Sequence, residues 1–270
     1  MVAPKYGAPV TGSDGPLPSP APGSPGAPLW DPQATPAATV VVVRDGDDGP
    51  EVLMLRRSKD LKFAGGMWVF PGGRIDAEDY AAAGFDPVAD ADLPAAREAA
   101  ARQAAVREAA EEAGLAVALD GLRRWSHWTP PPRADNRFTT AFFVAVVDGT
   151  GDVTVDDGEI REHRWMRPAD VLQARDDGEV GLAPPTYITL HQMAGHPQAA
   201  ALLAGAVADG DEPEHFATRF TMVGNDVVAM YFGDVAYEDV ELVDADGPRH
   251  RLVMGGTWSY TRDAGLAQRG

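Results

Sequence analysis

The sequence predicts an α+β fold in which strands and helices are mixed along the chain and short strands return near the end. Residues 40–43 are four consecutive valines, which is typical of a buried strand. Residues 94–113 are rich in Ala and Glu, begin with Pro94 and are followed by Gly114, a pattern that predicts a helix. After Phe216 the pattern changes to short apolar runs separated by Gly and Asp, which favours strands. This order of segments indicates an α+β domain with a β-rich C-terminal part.

The other elements are predicted from apolar runs that lie between Gly, Pro and Asp. Residues 37–44 and 51–57 are expected to form a hairpin across a turn at 45–49. Residues 67–70 are a short apolar segment, and Pro71-Gly72-Gly73 is expected to be a loop. Further strands are expected at 122–129, 137–147 and 162–166, and helices at 168–174 and at 185–203, the latter broken near Pro197.

Composition divides the chain into three parts. Residues 1–36 contain ten prolines and five glycines and are expected to form a disordered tail. Residues 37–210 are expected to form the main domain, and residues 211–270 a β-rich extension. Residues 76–92 are rich in Ala and Asp and are interpreted as an insertion on the surface of the main domain.

Charge and composition limit the classes of function. The formal net charge is −18, which argues against binding to nucleic acid, because phosphate backbones require a basic face. There is no cysteine, which excludes thiolate catalysis and fits a reducing compartment such as the cytoplasm. No run approaches 18 apolar residues, so no membrane span is expected. An acidic protein that acts on an anionic substrate needs bound cations and a local group of basic side chains.

The predicted helix ends in a group of carboxylates. Glu108, Glu111 and Glu112 fall within one arc of roughly 100° on a helix of about 3.6 residues per turn. The opposite side, expected to pack on a sheet, carries Val106, Ala109, Ala110 and Ala113. Three acids at this spacing repel one another, and a hard divalent cation with oxygen ligands, Mg²⁺ or Mn²⁺, would remove the repulsion. On the helix alone, a solvated acidic face is the commoner interpretation.

Together with the preceding glycines, this helix resembles the Nudix box. The box is a Gly, five residues, Glu, seven residues, and then Arg-Glu-U-x-Glu-Glu-x-Gly-U with U aliphatic. Its second half matches Arg107-Glu108-x-x-Glu111-Glu112-x-Gly114-Leu115 at every fixed position. In its first half the position of the acid is ambiguous, because Glu78 lies six residues after Gly72 and Asp79 lies six residues after Gly73. In addition, the chain has about twenty more residues before Arg107 than the box does. The resemblance implies a Nudix-type α/β/α sandwich with a mixed sheet, and a large insertion of this kind resembles the coenzyme A diphosphatase branch.

A second segment resembles the coenzyme A signature that precedes the box in that branch. The residues that match it at the expected spacings are Leu53, Arg57, Ser58, Gly66 and the run 70–73. Leu55 stands where the signature has Thr, and Lys62 where it has Arg, which keeps the charge but loses the bidentate fork.

The resemblance also implies roles for individual residues. Glu108, Glu111 and Glu112 would hold the metal with the carbonyl oxygen of Gly72, and Glu159 is a candidate further acid, although it is one among several nearby acids. Glu108 or Glu112 would help to deprotonate the water, and Arg107 would orient the carboxylates.

Four basic residues are candidates for binding the anionic substrate, or else ordinary surface charge: Arg56, Arg57, Lys62 and Arg74. Since side chains alternate along a strand, at most one of Arg56 and Arg57 should reach the site.

The expected reaction is the metal-dependent hydrolysis of a nucleoside diphosphate linked to another group. Coenzyme A or acyl-coenzyme A, giving 3′,5′-ADP and a phosphopantetheine, is the first candidate substrate. ADP-ribose is the alternative, because Pro131 lies sixteen residues after Leu115, as in enzymes of that kind. A non-catalytic nucleotide sensor is a third interpretation, which the intact carboxylates disfavour. The expected partner is a small nucleotide, with neither nucleic acid nor membrane, and a homodimer is compatible with the resemblance.

Overall fold

A computed structural model describes residues 22–24, 27–61, 64–131, 137–149, 151–155, 158–208 and 210–264. Eight strands form one mixed sheet, in which β3-β2-β1-β6-β5-β8 is the main order, β4 pairs with β1, and β7 pairs with β2. The strands are β1 (Thr35–Gly46), β2 (Gly49–Arg57), β3 (Trp68–Val69), β4 (Gly72–Arg74), β5 (Arg123–Thr129), β6 (Phe138–Val146), β7 (Ile160–Met166) and β8 (Glu214–Ala217). Helices cover both faces of this mixed sheet, and the resulting α/β/α arrangement confirms the predicted fold class.

The central strand β1 is buried on both faces. It runs parallel to β6 and antiparallel to β2, and its four valines at 40–43 are all fully buried. Because neighbouring side chains of a strand point to opposite faces, Val41 and Val43 enter one hydrophobic core and Val40 and Val42 the other. The predicted buried strand and the hairpin with β2 are confirmed.

One face of the sheet is covered by a long alanine-rich helix. Helix α1 spans Ala77–Ala82, and α2 spans Pro94–Ala113 with Pro94 in its first turn. Gly114 ends α2 in the left-handed conformation, with φ 66°, which a glycine adopts at little cost. Alanines along α2, among them Ala101, Ala105 and Ala109, are fully buried against the sheet. Both predicted ends of this helix are confirmed.

The other face is covered by three shorter helices with larger side chains. These are α3 (Pro168–Asp176), α4 (Pro184–Met193) and α5 (Ala199–Ala204), so the predicted break near Pro197 is confirmed. Trp68, Trp128, Ile188 and Phe216 are among the buried residues of this core, and Trp128 stacks on Phe216 with ring centroids 4.1 Å apart. No helix in the described part of the chain is long and apolar enough to cross a membrane.

The C-terminal strands divide between two sheets. β8 lies parallel to β5 at the edge of the main sheet, although it falls within the predicted extension. A second, antiparallel sheet of four strands follows, made of β9 (Arg219–Val223), β10 (Asp226–Met230), β11 (His250–Met254) and β12 (Trp258–Arg262). Ala229, Tyr231 and Leu252 pack into the same core as Trp128, so this sheet shares a hydrophobic core with the main one.

Residues 27–36 belong to the fold, which corrects the predicted boundary of the tail. Trp30 is buried with its ring edge-on to His127 at 4.6 Å, and Asp31 forms an ion pair with Arg137. Burial of the indole ring offsets the cost of ordering this proline-rich stretch. The earlier part of the predicted tail, residues 1–21, lies outside the described residues.

The insertion at 76–92 is also more than a surface excursion. Its helix α1 buries Tyr80 against Ala96 and Ala100 of α2, and Asp79 is only 3% exposed. Most of the remaining residues of the insertion are partly or fully exposed. The prediction of a surface segment is therefore wrong for Asp79 and Tyr80, because these two side chains bind the insertion to α2.

Candidate active site

The last two turns of α2 present carboxylates beside the glycine-rich segment of β4. Glu111 is exposed and Glu108 half-buried, whereas Glu112 is buried with 7% of its surface exposed. Ala109 and Ala113 pack into the core as expected, but Ala110 is exposed, which corrects its placement on the packed face. The face of α2 that packs on the sheet therefore includes Glu112 in place of Ala110.

Gly72 and Gly73 lie where a side chain would collide with β1 and with Glu108, respectively. The amide nitrogen of Gly72 donates a hydrogen bond to Oε2 of Glu112 at 3.0 Å. A Cβ atom on Gly73 would lie 2.2 Å from Oε1 of Glu108, and one on Gly72 would lie 2.6 Å from the carbonyl oxygen of Ala38. Neither position accepts a side chain without displacement. The segment forms the short strand β4, paired with Ala38 and Thr39, rather than the loop that was predicted.

Arg107 connects the insertion to the carboxylates of α2. Its guanidinium donates to both carboxylate oxygens of Asp79, from Nε at 3.0 Å and from Nη2 at 2.9 Å. Nη1 donates to Glu108 at 2.8 Å and to Glu111 at 3.0 Å, and Nη2 also reaches the carbonyl oxygen of Arg74. These contacts fix the orientation of Glu108 and Glu111.

Asp79 is a site residue that the sequence left undecided. Glu78 and Asp79 both stand at a suitable spacing, but Glu78 is exposed and Asp79 makes the paired contact with Arg107. This contact could not be predicted from local spacing, because Asp79 and Arg107 are 28 positions apart in the sequence. The sequence offered one indication: Tyr80 is a large side chain next to Asp79, and its burial against α2 places Asp79 close to that helix.

Of the four basic residues proposed to bind substrate, Arg57 lies at the carboxylates. Nη1 of Arg57 is 3.7 Å from Glu112, and Nη2 is 3.0 Å from Glu159. Arg56 instead pairs with Glu162 at 3.2 Å. Glu159 is brought there by β7, which pairs with β2 so that Ile160 stands opposite Arg57.

The two other basic candidates are placed differently. Arg74 is exposed, and its contact with the site is through its backbone carbonyl. Lys62 lies outside the described residues.

Burial and like charges shift the acids of the site toward their neutral forms. Burial raises the pKa of Glu112 to about 7, with further repulsion from Glu108 and Glu159 and opposing contributions from the Gly72 amide and from Arg57. Burial also raises the pKa of Glu108, against the hydrogen bond from Arg107. Arg107 has a pKa raised above its ordinary value, first by its hydrogen bond to Asp79. Burial and neighbouring acids thus disfavour the charged forms of Glu108 and Glu112 more than the nearby arginines favour them.

Comparison with known proteins identifies the family. The model of the NUDIX domain matches residues 34–187, which is more than half of the chain. The chain belongs to the Nudix family. The match extends from the start of β1 to α4 and includes the insertion.

Individual Nudix relatives are distant. The chain is 25% identical over 162 residues to "Putative nudix hydrolase 7" of Caenorhabditis elegans, which covers 53% of this chain and 55% of that protein. It is 26% identical over 76 residues to the acyl-coenzyme A diphosphatase NUDT19 of Xenopus laevis, covering 27% of this chain and 20% of that protein. The chain thus spans about half or less of the length of these relatives.

A solved structure supports the Nudix fold directly. The NUDIX hydrolase from Alicyclobacillus acidocaldarius superimposes with a TM-score of 0.56 at 26% identity. The match covers 67% of this chain and 98% of that chain. The remaining third of this chain is therefore additional to a complete Nudix fold.

Nudix proteins typically depend on a divalent cation, and the donor atoms of this site suit one. The donors near the end of α2 are carboxylate oxygens and the backbone of Gly72, as hard cations require. Burial is the first cause of the raised pKa values of Glu108 and Glu112, with a further contribution from neighbouring acids, and a bound cation would favour the charged forms of both. Within the described residues, no three His, Asp or Glu side chains already converge on one point, because Glu108 and Glu111 are turned toward Arg107. The chemistry of the site therefore fits a metal, since Glu108 and Glu111 each contact Arg107 through one carboxylate oxygen and have a second oxygen that a cation could use.

Proposed function

We propose that the protein is a divalent-metal-dependent hydrolase of a nucleoside diphosphate linked to another group. The observation that carries this proposal is the group of carboxylates at the end of α2, directly beside Gly72 and Gly73, where a Cβ atom would collide with neighbouring atoms. Membership of the Nudix family gives independent support.

In the proposed reaction, Glu108, Glu111 and Glu112 hold the cation with Gly72, and Glu159 is a further candidate ligand. A bound Mg²⁺ would neutralise phosphate oxygens and acidify a water molecule. Arg107, bonded to Asp79, keeps Glu108 and Glu111 in place. Glu108 and Glu112 are the candidates for accepting the proton of the water, since both lie at the backbone of Gly72 and Gly73.

Coenzyme A or acyl-coenzyme A is the proposed substrate class. The support is the signature in residues 53–73 and the partial similarity to an acyl-coenzyme A diphosphatase, which covers about a quarter of this chain. The negative net charge of the protein makes a local cation group necessary for such an anionic substrate, and Arg57 and Lys62 of this segment can contribute to it.

A panel of substrates tests both levels of the proposal. Coenzyme A, dephospho-coenzyme A and ADP-ribose are incubated with the protein at one Mg²⁺ concentration, and the products are separated by chromatography. We expect 3′,5′-ADP from coenzyme A, and slower cleavage of dephospho-coenzyme A by about ten- to a hundredfold if a charge-assisted contact recognises the 3′-phosphate.

Lys62→Ala distinguishes the origin of that preference. It should remove most of the difference between coenzyme A and dephospho-coenzyme A while leaving ADP-ribose unaffected, because ADP-ribose has no 3′-phosphate. Fast cleavage of ADP-ribose with no cleavage of coenzyme A would contradict the proposed substrate and leave the hydrolase proposal standing. Binding of a nucleotide without any cleavage in the presence of Mg²⁺ or Mn²⁺ would instead indicate a sensor.

A further inference from the structure

Arg57 occupies an unusual position between two acids that come from different parts of the chain. Glu112 is on the last turn of α2, and Glu159 lies in the segment just before β7. The guanidinium of Arg57 reaches both, with Nη1 3.7 Å from Glu112 and Nη2 3.0 Å from Glu159. Its side chain is 16% exposed, so most of its charge is removed from water.

The contacts of Arg57 differ from those of a saturated structural ion pair. The separation of 3.7 Å from Glu112 is too long for a hydrogen bond. The Nε atom of Arg57 is buried and has no hydrogen-bond partner among the described residues. A buried donor without a partner carries a desolvation cost, so this position of the guanidinium is held by charge rather than by a complete set of hydrogen bonds.

We infer that Arg57 is the internal counter-ion of the metal site: its guanidinium neutralises Glu112 and Glu159 in the metal-free protein, and a divalent cation has to displace it. This inference rests on the proposed metal-dependent function and adds a residue that sets metal affinity. A cation bound by Glu112 and Glu159 would lie close to the guanidinium, and like charges at such a distance repel. The released guanidinium, with its unpaired Nε, is then available for an anionic group of the substrate.

The inference makes a prediction of definite sign. If Arg57 competes with the cation, removal of its charge strengthens metal binding. If Arg57 instead supports Glu112 and Glu159 as ligands, its removal weakens metal binding, as for other residues that orient metal ligands. The two roles are thus separated by the direction of one measurement.

The experiment measures Mn²⁺ and Mg²⁺ binding by isothermal titration calorimetry, without any substrate. Arg57→Gln should bind Mn²⁺ about three- to tenfold more tightly than the wild type, because one repulsive charge is removed. Arg57→Lys keeps the charge without the fork and should stay within about twofold of the wild type. The matched control is Arg164→Gln, which removes one charge from β7, where Arg164 pairs with Glu162 away from Glu112; it should also stay within about twofold of the wild type.

Each result decides the matter. Equal or weaker Mn²⁺ binding by Arg57→Gln, with normal circular dichroism, overturns the counter-ion role and leaves the proposed function intact. Tighter binding in Arg164→Gln as well would assign the effect to net charge and also overturn it. A wild type that binds neither ion would overturn the proposed function together with this inference. If Arg57→Gln does not fold, Arg57→Met, which fills the same volume with an apolar chain, is measured in its place with the same expected result.

Discussion

Two arginine–aspartate pairs in this molecule have similar hydrogen-bond geometry but differ in the number of other acids around them. In the C-terminal sheet, Arg251 donates to Asp234 from Nε at 2.7 Å and from Nη2 at 2.5 Å. At the candidate active site, Arg107 contacts Asp79 in the same two-bond manner at 3.0 and 2.9 Å. The first pair balances one charge with one charge, whereas Arg107 also faces Glu108 and Glu111.

The difference in charge balance is visible in the acids. Although burial favours the neutral form of Asp234, hydrogen bonds from Arg251 and from the backbone of Ala236 and His250 hold its pKa below the ordinary value. Burial raises the pKa values of Glu108 and Glu112, and their hydrogen bonds do not compensate. In the closed pair formed by Arg251 and Asp234, loss of either partner would leave a buried charge uncompensated, while the excess of acids around Arg107 suits a cation.

The largest effect is expected for Glu112→Gln, which removes one acid from the site with an excess of charge. Turnover with Mg²⁺ should fall by about 1,000-fold, since the variant loses a ligand charge and a candidate proton acceptor. The melting temperature of the metal-free protein should be unchanged or slightly raised, because repulsion with Glu108 is relieved. Near-normal Mg²⁺-dependent activity in this variant would show that the end of α2 is not the active site.

For Asp234→Asn, in the pair with Arg251, we expect a loss of stability without a loss of activity. The free energy of unfolding should fall by about 3–5 kcal/mol, because Arg251 would remain buried without a counter-charge. Activity per folded molecule should change little. Denaturant unfolding measures the effect, and Asp246→Asn, an exposed acid in the same region, is the matched control. Equal stability of the two variants would remove the distinction between the pairs.

How much of this site the sequence predicted depends on how far apart the interacting residues lie along the chain. The carboxylates of α2 were predicted because their spacing on one helix is local and because Pro94 and Gly114 mark its ends. The approach of Glu159 to Arg57 depends on the register between β2 and β7, which shifts at Arg57 and which no local pattern encodes. Trp30 was missed because the prolines around it outweighed a single buried ring. Local signals thus predicted the elements, and contacts across the sheet required the structure.

Asp79→Asn tests whether the insertion serves the site. The variant keeps the shape of the side chain and removes its charge, so Arg107 should orient Glu108 and Glu111 less firmly. We expect kcat/KM to fall by about 10- to 100-fold, as for other residues that support metal ligands. The stability loss should be smaller than for Asp234→Asn, because Arg107 retains two carboxylate partners. Glu78→Gln, one position earlier on α1 and exposed, is the control and should match the wild type. The reverse ranking would assign the first acid of the Nudix box to Glu78.

The smallest effect concerns pH and the histidine beside the closed pair. The backbone nitrogen of His250 donates to Asp234, while its ring contacts the carbonyl oxygen of Phe232 and the hydroxyl of Tyr260. Burial lowers the pKa of His250 to about 4, against an opposing hydrogen bond to Phe232, so the ring is neutral in the folded protein. The unfolded chain, with an ordinary value near 6.5, takes up a proton first as the pH falls. Stability from this group is therefore fully present above about pH 6.5 and is lost as the pH falls toward 4.

Between pH 7 and pH 5, the wild type should lose about 1–2 kcal/mol more stability than His250→Gln, which cannot take up the proton. Denaturant unfolding of both proteins at the two pH values, in the presence of a chelator, isolates this term, because the other titrating groups cancel in the difference. His127 and His215 are also buried with lowered pKa values, so the wild type and the variant should both retain a shared loss toward low pH. A difference between wild type and variant that does not change with pH would mean that the pKa of His250 is the same in the folded and unfolded states, so that its ring is charged at pH 5 in the fold as well. At pH 5 the Asp234 pair would then lie beside a second cation and would no longer be the balanced counterpart of the candidate active site.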